Sequence, residues 1–256
     1  MPRDGVALPA LPNPDRIAAF VRSGTLPVLN LLDPHALERP DTVVVSEPFA
    51  FLVAHGQLPE AARPSLGTDF PRYPSAGFFP HERVDCGAAI NALIDELTSP
   101  AIAGAIGRRL GIANLGQYPT LVTICRALNR RHGTIHTDSR SKIATALLYL
   151  NESWPETSAG CLRFLRRADS IDDQVTPEIK PLYGNLVAFR RSDCSFHGHL
   201  PYEGERRVIQ VAWLTSEEEK SRKTRRGRFS RLFKKLFGAI DRRIGAGRRD
   251  DASHLD

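Results

Sequence analysis

Apolar and polar positions pass from a helical period to short strand-like runs between residues 111 and 120. Before that point Ile90, Leu93, Ile94 and Leu97 recur at the i, i+3, i+4, i+7 spacing of one helical face, with Asp85 in place to cap the helix. Ser99-Pro100 then opens a second helix through Ile102, Ile106 and Leu110 that stops at Gly111. Beyond it, Thr120 to Leu128, Ile143 to Leu150, Cys161 to Leu165, Asn185 to Phe189 and Val208 to Leu214 are short apolar or β-branched runs between turn residues, which predicts strands. Two earlier strands are predicted at 42–45 and 48–53, followed by a long irregular connection to Glu82. Helices followed by a run of strands predict a mainly β sandwich or barrel with supporting helices packed on it.

The two ends read differently from the middle. Residues 1–41 are proline-rich, with one short helical signal at Asn13-Pro14, and are expected to form a loosely packed arm. The domain proper is expected over 42–215. In 216–256, Phe229, Leu232, Phe233, Leu236, Phe237, Ile240 and Ile244 form one helical stripe with Arg231, Lys234, Lys235, Arg242 and Arg243 off it, which predicts a basic amphipathic helix over 228–244. Such a helix suits an anionic membrane surface, a groove on a partner protein, or its own domain. Loss of vesicle co-sedimentation on truncation near Ser216 is the test of the first.

Charge follows the same division. The chain has 35 Lys and Arg against 29 Asp and Glu, a net charge of +6. From Glu217 onward there are thirteen basic and seven acidic residues, so the tail carries the whole excess and the body, with 22 of each, is neutral. The high pI therefore gives no ground for a polyanionic substrate of the body. A length of 256 residues fits one large domain. Cys86, Cys125, Cys161 and Cys194 show no CxxC spacing and are too few to staple it, and prolines interrupt the N-terminus before a signal-peptide core forms. A cytoplasmic protein, peripheral at a membrane if the tail binds one, is the expectation.

The candidate chemistry lies at His136-Thr137-Asp138 and Phe196-His197-Gly198-His199. On an extended segment His136 and Asp138 leave the same face and can reach one ion, with a second imidazole arriving from elsewhere. Two imidazoles and a carboxylate suit a divalent transition metal with open positions. Taken alone, H-x-D reads first as a hydrogen-bonded surface pair.

Around these residues the sequence resembles the Fe(II)/2-oxoglutarate-dependent dioxygenase superfamily, in its prolyl-hydroxylase-like branch. The resemblance runs from Thr120 to Thr215 and rests on ordered matches. After H-x-D come Tyr149-Leu150-Asn151, Trp154, the Gly160 to Phe164 turn and strand, Gly184 to Phe189, and the block from His197 to Trp213. It implies a double-stranded β-helix, a jelly-roll or cupin-like core, with N-terminal helices packed on it. It implies Fe(II) on His136, Asp138 and His197, with 2-oxoglutarate and O2 as co-substrates and ascorbate allowed as a reductant. His199 is the alternative to His197; the wider spacing to the downstream arginine favours His197. A far-carboxylate clamp is expected at Arg207, six residues before Trp213, in preference to Arg206, which is expected to be a solvated surface charge. Tyr149 is expected to bond the same carboxylate.

The activity implied is hydroxylation of a C–H bond in a protein side chain, prolyl among the options, or in a small metabolite, with release of succinate and CO2. Asp138 favours hydroxylation, because related halogenases lack this carboxylate. Nucleic acid is disfavoured as a partner, since Trp213 stands where base-repairing members carry a second arginine. Two other readings stay open. One is a non-catalytic jelly-roll adaptor using its basic tail; the other, a zinc hydrolase, leaves Arg207 and Tyr149 without a role.

Overall fold

The computed structural model describes residues 30–226, so the helical signals at Asn13-Pro14 and 228–244 lie outside the described residues. Nine strands are described: β1 (Val43–Val45), β2 (Phe51–Ala54), β3 (Phe78–Pro80), β4 (Thr120–Leu128), β5 (Lys142–Tyr149), β6 (Arg163–Phe164), β7 (Leu186–Arg190), β8 (His197–Gly198) and β9 (Gly204–Leu214). Among the described residues three α-helices precede β4: α1 (Arg63–Asp69), α2 (Ala88–Leu97) and α3 (Pro100–Leu110). The large sheet has the order β1-β2-β7-β5-β9-β4-β3, and its strand pairs are antiparallel. Facing it is a small sheet of β8 against β6, extended by single bridges from His136 to His197, Leu162 to Ile179 and Leu165 to Gln174. Two facing antiparallel sheets with crossing connections make a jelly roll, the double-stranded β-helix expected from the sequence.

Two cores explain why the strands read as continuous apolar runs. Leu52, Ala146, Leu148, Leu186, Ile209, Val211 and Trp213 point from the large sheet towards Ile90, Leu93, Leu97, Ile102 and Ile106 of α2 and α3. Phe51, Leu147, Tyr149, Val187, Phe189 and Val208 point the other way, towards Leu162, Phe164 and Ile179 of the small sheet. A strand buried on both faces loses the alternation of apolar and polar positions that marks a half-buried one. Leu31, Leu32 and Leu37 also join the helix-side core, through a short 3₁₀ turn at Pro34–Glu38.

The helix ends follow local chemistry with one exception. Ser99 caps α3 by accepting from the Ile102 amide, Pro100 occupies its first turn, and Gly111 closes it in the left-handed conformation at φ 65°. Asp85, expected to cap α2, instead sits in a separate 3₁₀ turn, Arg83–Asp85. The cap position is Gly87, and the capping carboxylate comes from Asp69 at the end of α1, whose Oδ2 accepts from the Ala89 amide at 2.7 Å. Both α1 and β3 lie in the stretch expected to be irregular. Among the described residues no helix is long and apolar enough to cross a membrane.

Candidate metal centre and co-substrate pocket

His136 and His197 are sixty-one positions apart in the chain and face each other across the small sheet. Each backbone amide donates to the other residue's carbonyl at 3.0 Å, locking the two positions in register. Their rings lie 4.4 Å apart between centroids. Each Nδ1 meets a backbone carbonyl, Thr134 O at 2.8 Å for His136 and Ser195 O at 2.9 Å for His197. A carbonyl only accepts, so Nδ1 carries the proton and Nε2 is left with its lone pair, the tautomer a metal needs. Burial, followed by the neighbouring His136, pushes the His197 imidazole down to about 4 against the pull of Asp138, so it is neutral at neutral pH.

Asp138 completes the group: ligand atoms of His136, Asp138 and His197 all lie within 4.8 Å of one another. Burial opposes ionisation of its carboxyl, but Lys142, His197 and the bonds from Thr145 and Lys142 outweigh it and hold the group well below the usual carboxylate range. Lys142 Nζ donates to Oδ1 at 2.9 Å and Thr145 Oγ1 to Oδ2 at 2.5 Å, both within the buried interior. Each carboxylate oxygen has two acceptor sites, so one on each remains for a cation. Two imidazoles and a carboxylate on one face are the donor set that holds Fe(II) while leaving positions open. His197, and not His199, is the histidine grouped with His136 and Asp138. His199 turns its Nδ1 to Leu200 O at 2.8 Å and packs on Gly133, where an added Cβ would stand 2.3 Å from the ring.

The structure places the two arginines differently from the expectation that Arg206 is solvated. Parity along β9 puts Arg207 with Ile209, Val211 and Trp213, but that face meets the helices. Arg207 lies against α1, with its guanidinium 5.8 Å from the Phe70 ring centroid and Nε bonded to Glu205. Arg206, expected to be solvated, is 3% exposed and shares its face with Val208 and Tyr149. Its Nε donates to Gly160 O at 2.9 Å and its Nη2 to Tyr149 Oη at 3.2 Å. Among the described residues no carboxylate pairs with it. Burial lowers the pKa of His199 to about 4, helped next by the positive charge of Arg206 and less by His136, so this ring stands within electrostatic reach of both the arginine and the metal ligands.

Sequence reasoning missed Lys142, Thr145 and Arg206. Thr145 was legible in principle, since it lies four positions before Tyr149 on one strand and so shares its face. Lys142 was not, because it stands at a β-bulge between 142 and 144 that shifts the parity.

Residues 123–215 match the family model described as the 2OG-Fe(II) oxygenase superfamily. That segment is similar to a 2OG-Fe(II) oxygenase domain. It spans β4 to β9 and contains both histidines, Asp138, Tyr149 and Arg206, and Fe(II), 2-oxoglutarate and O2 are the reagents that go with it. No curated protein matches the chain in sequence. Among solved structures, the chain is similar to a Pseudomonas putida prolyl-4-hydroxylase, at 18% identity over 66% of this chain and 90% of that one, TM-score 0.46. A Phytophthora capsici prolyl 4-hydroxylase is similar at 20% identity over 73% and 64%, TM-score 0.44. A Trichoplax adhaerens prolyl hydroxylase, solved with a hypoxia inducible factor peptide fragment, is similar at 15% identity over 82% and 96%, TM-score 0.44.

Proposed function

We propose that this oxygenase hydroxylates a C–H bond of a protein side chain, prolyl among the options, or of a small metabolite, with His136, Asp138 and His197 holding Fe(II) and Arg206 holding 2-oxoglutarate. The observation that carries the co-substrate assignment is the buried Arg206 guanidinium without a carboxylate partner among the described residues. An ion left unpaired in the interior is costly, and a guanidinium offers a planar fork for a carboxylate. A dicarboxylate with one end on the metal brings that anion with its other end.

The chain's own groups then have separate tasks. Fe(II) bound there supplies, with 2-oxoglutarate and O2, oxidative decarboxylation to succinate and CO2 coupled to hydroxylation. The carbonyls of Thr134 and Ser195 hold the two imidazoles in the coordinating tautomer. Lys142 and Thr145 fix the rotation of the Asp138 carboxylate. Tyr149, fully buried, accepts from Arg206 through its hydroxyl oxygen and keeps its own O–H free to donate to the same co-substrate carboxylate. Phe189, with its ring centroid 4.6 Å from that of His197, forms an apolar wall that keeps water from one side of the ligands. The prolyl option rests on the sequence resemblance from Thr120 to Thr215.

Purification without oxygen, addition of Fe(II) and 2-oxoglutarate, and admission of O2 should yield succinate with the natural chain and none above background with His136→Ala or Asp138→Ala. Absence of Fe(II)-dependent succinate from the natural chain, even uncoupled from substrate, would sink the hydroxylase reading.

A further inference from the structure

Past β9 the chain continues as a helical segment, 217–226, which contains no aliphatic or aromatic residue. One of its side chains is buried, that of Lys223, at 6% exposure. Its ammonium donates to Ser139 Oγ at 3.0 Å. Ser139 directly follows the metal ligand Asp138, and its Oγ lies 3.0 Å from Ser141 Oγ. The Lys142 amide donates to Ser139 O at 2.9 Å and the Thr215 amide to Ser141 O at 3.0 Å. Lys142 closes the circuit on Asp138 Oδ1. The turn that presents the ligand carboxylate is therefore gripped from inside by one lysine and from outside by another.

We propose that Lys223 is a positioning residue of the metal centre, holding the Ser139–Lys142 turn so that Asp138 meets the metal in one orientation. The inference rests on the reading of His136, Asp138 and His197 as the metal ligands. It extends the functional unit beyond residue 215, where the family match ends. The described part of this helix has no apolar anchor and gains little from docking for its own sake, and a half-sunk lysine ordinarily leads its head back to water. Here the head is spent on a serine hydroxyl beside the ligand, and partners of that kind set metal affinity.

Charge and geometry predict opposite signs for removing Lys223. Deleting a nearby positive charge favours a cation, whereas releasing the turn disfavours it. Co(II) serves as the probe in the full-length protein, titrated anaerobically and read by its d–d absorption. Lys223→Met should bind Co(II) about tenfold more weakly, with an altered d–d spectrum, and Lys223→Arg should restore both. Ser139→Ala should reproduce the change, and combining it with Lys223→Met should add little, since the two act through one bond. The serine variant also serves if Lys223→Met does not fold. Tighter binding in Lys223→Met would overturn the proposal in favour of simple repulsion. A lower unfolding temperature with an unchanged Co(II) spectrum would overturn it in favour of a purely structural clamp. If the natural chain binds Co(II) no better than His136→Ala, the ligand assignment itself fails, which is a separate result.

Discussion

A guanidinium buried among Tyr149, Gly160 and the apolar residues between the sheets stands on a cost that its two neutral acceptors offset only in part. Hydrogen bonds to charged groups are worth about 1.5 to 3 kcal/mol, which is roughly ten- to a hundredfold in binding. Arg206→Met should therefore raise the 2-oxoglutarate KM by at least about tenfold, while Arg207→Met leaves it within about threefold; succinate formation against co-substrate concentration decides between them. At the same scale, the imidazole of His197 is neutral in the fold down to about pH 4 but titrates near its ordinary value when unfolded. Above about pH 6.5 neither state binds the proton and stability is full. As pH falls from about 6.5 towards 4, the unfolded chain binds it first, so stability is lost across that window, by roughly 3 kcal/mol for this residue. His199 acts in the same direction. Urea midpoints of chelator-treated protein between pH 7 and pH 4 should fall accordingly, and a flat profile would refute the burial assigned to these rings.

Elements whose ends are specified nearby were legible in advance, and those specified from a distance were not. The spacing of Ile102, Ile106 and Leu110 between Ser99 and Gly111 contains all that α3 needs. The start of α2 depends on Asp69, twenty positions from Ala89, and no local pattern reveals it. Asp69→Ala should lower stability by about 1 kcal/mol, seen as a lower urea midpoint at unchanged slope. Gly87→Ala should cost more, because its Cβ would stand 2.2 Å from Asp69 Cγ. The strand β3 is three residues long and ends in Pro80, so only its pairing with β4 defines it. Its proline is tolerated because β3 is the edge of the sheet.

At the scale of the molecule, the sandwich brings together ligands from two distant stretches, and metal binding should stabilise the whole. A ligand that binds only the folded chain adds about 2.7 kcal/mol at a hundred times its dissociation constant. Saturating Mn(II) without oxygen should raise the unfolding temperature of the natural chain, chelation should reverse the rise, and His197→Ala should show none. The sequence by itself determined the helices of 88–110, the later strands and a sandwich or barrel, because helical period and strand runs are local signals; the jelly roll and the candidate ligand trio came only with the family resemblance. Only the tertiary structure decided which arginine is buried between the two sheets. With both faces of β9 buried, hydrophobicity carries no mark of which parity faces the site, and Arg206 and Arg207 differ solely in what lies above and below the sheet. Lys142 reaches Asp138 from a bulge and Lys223 reaches the neighbouring Ser139 from the helical segment after β9, which are contacts of folding and leave no trace in spacing.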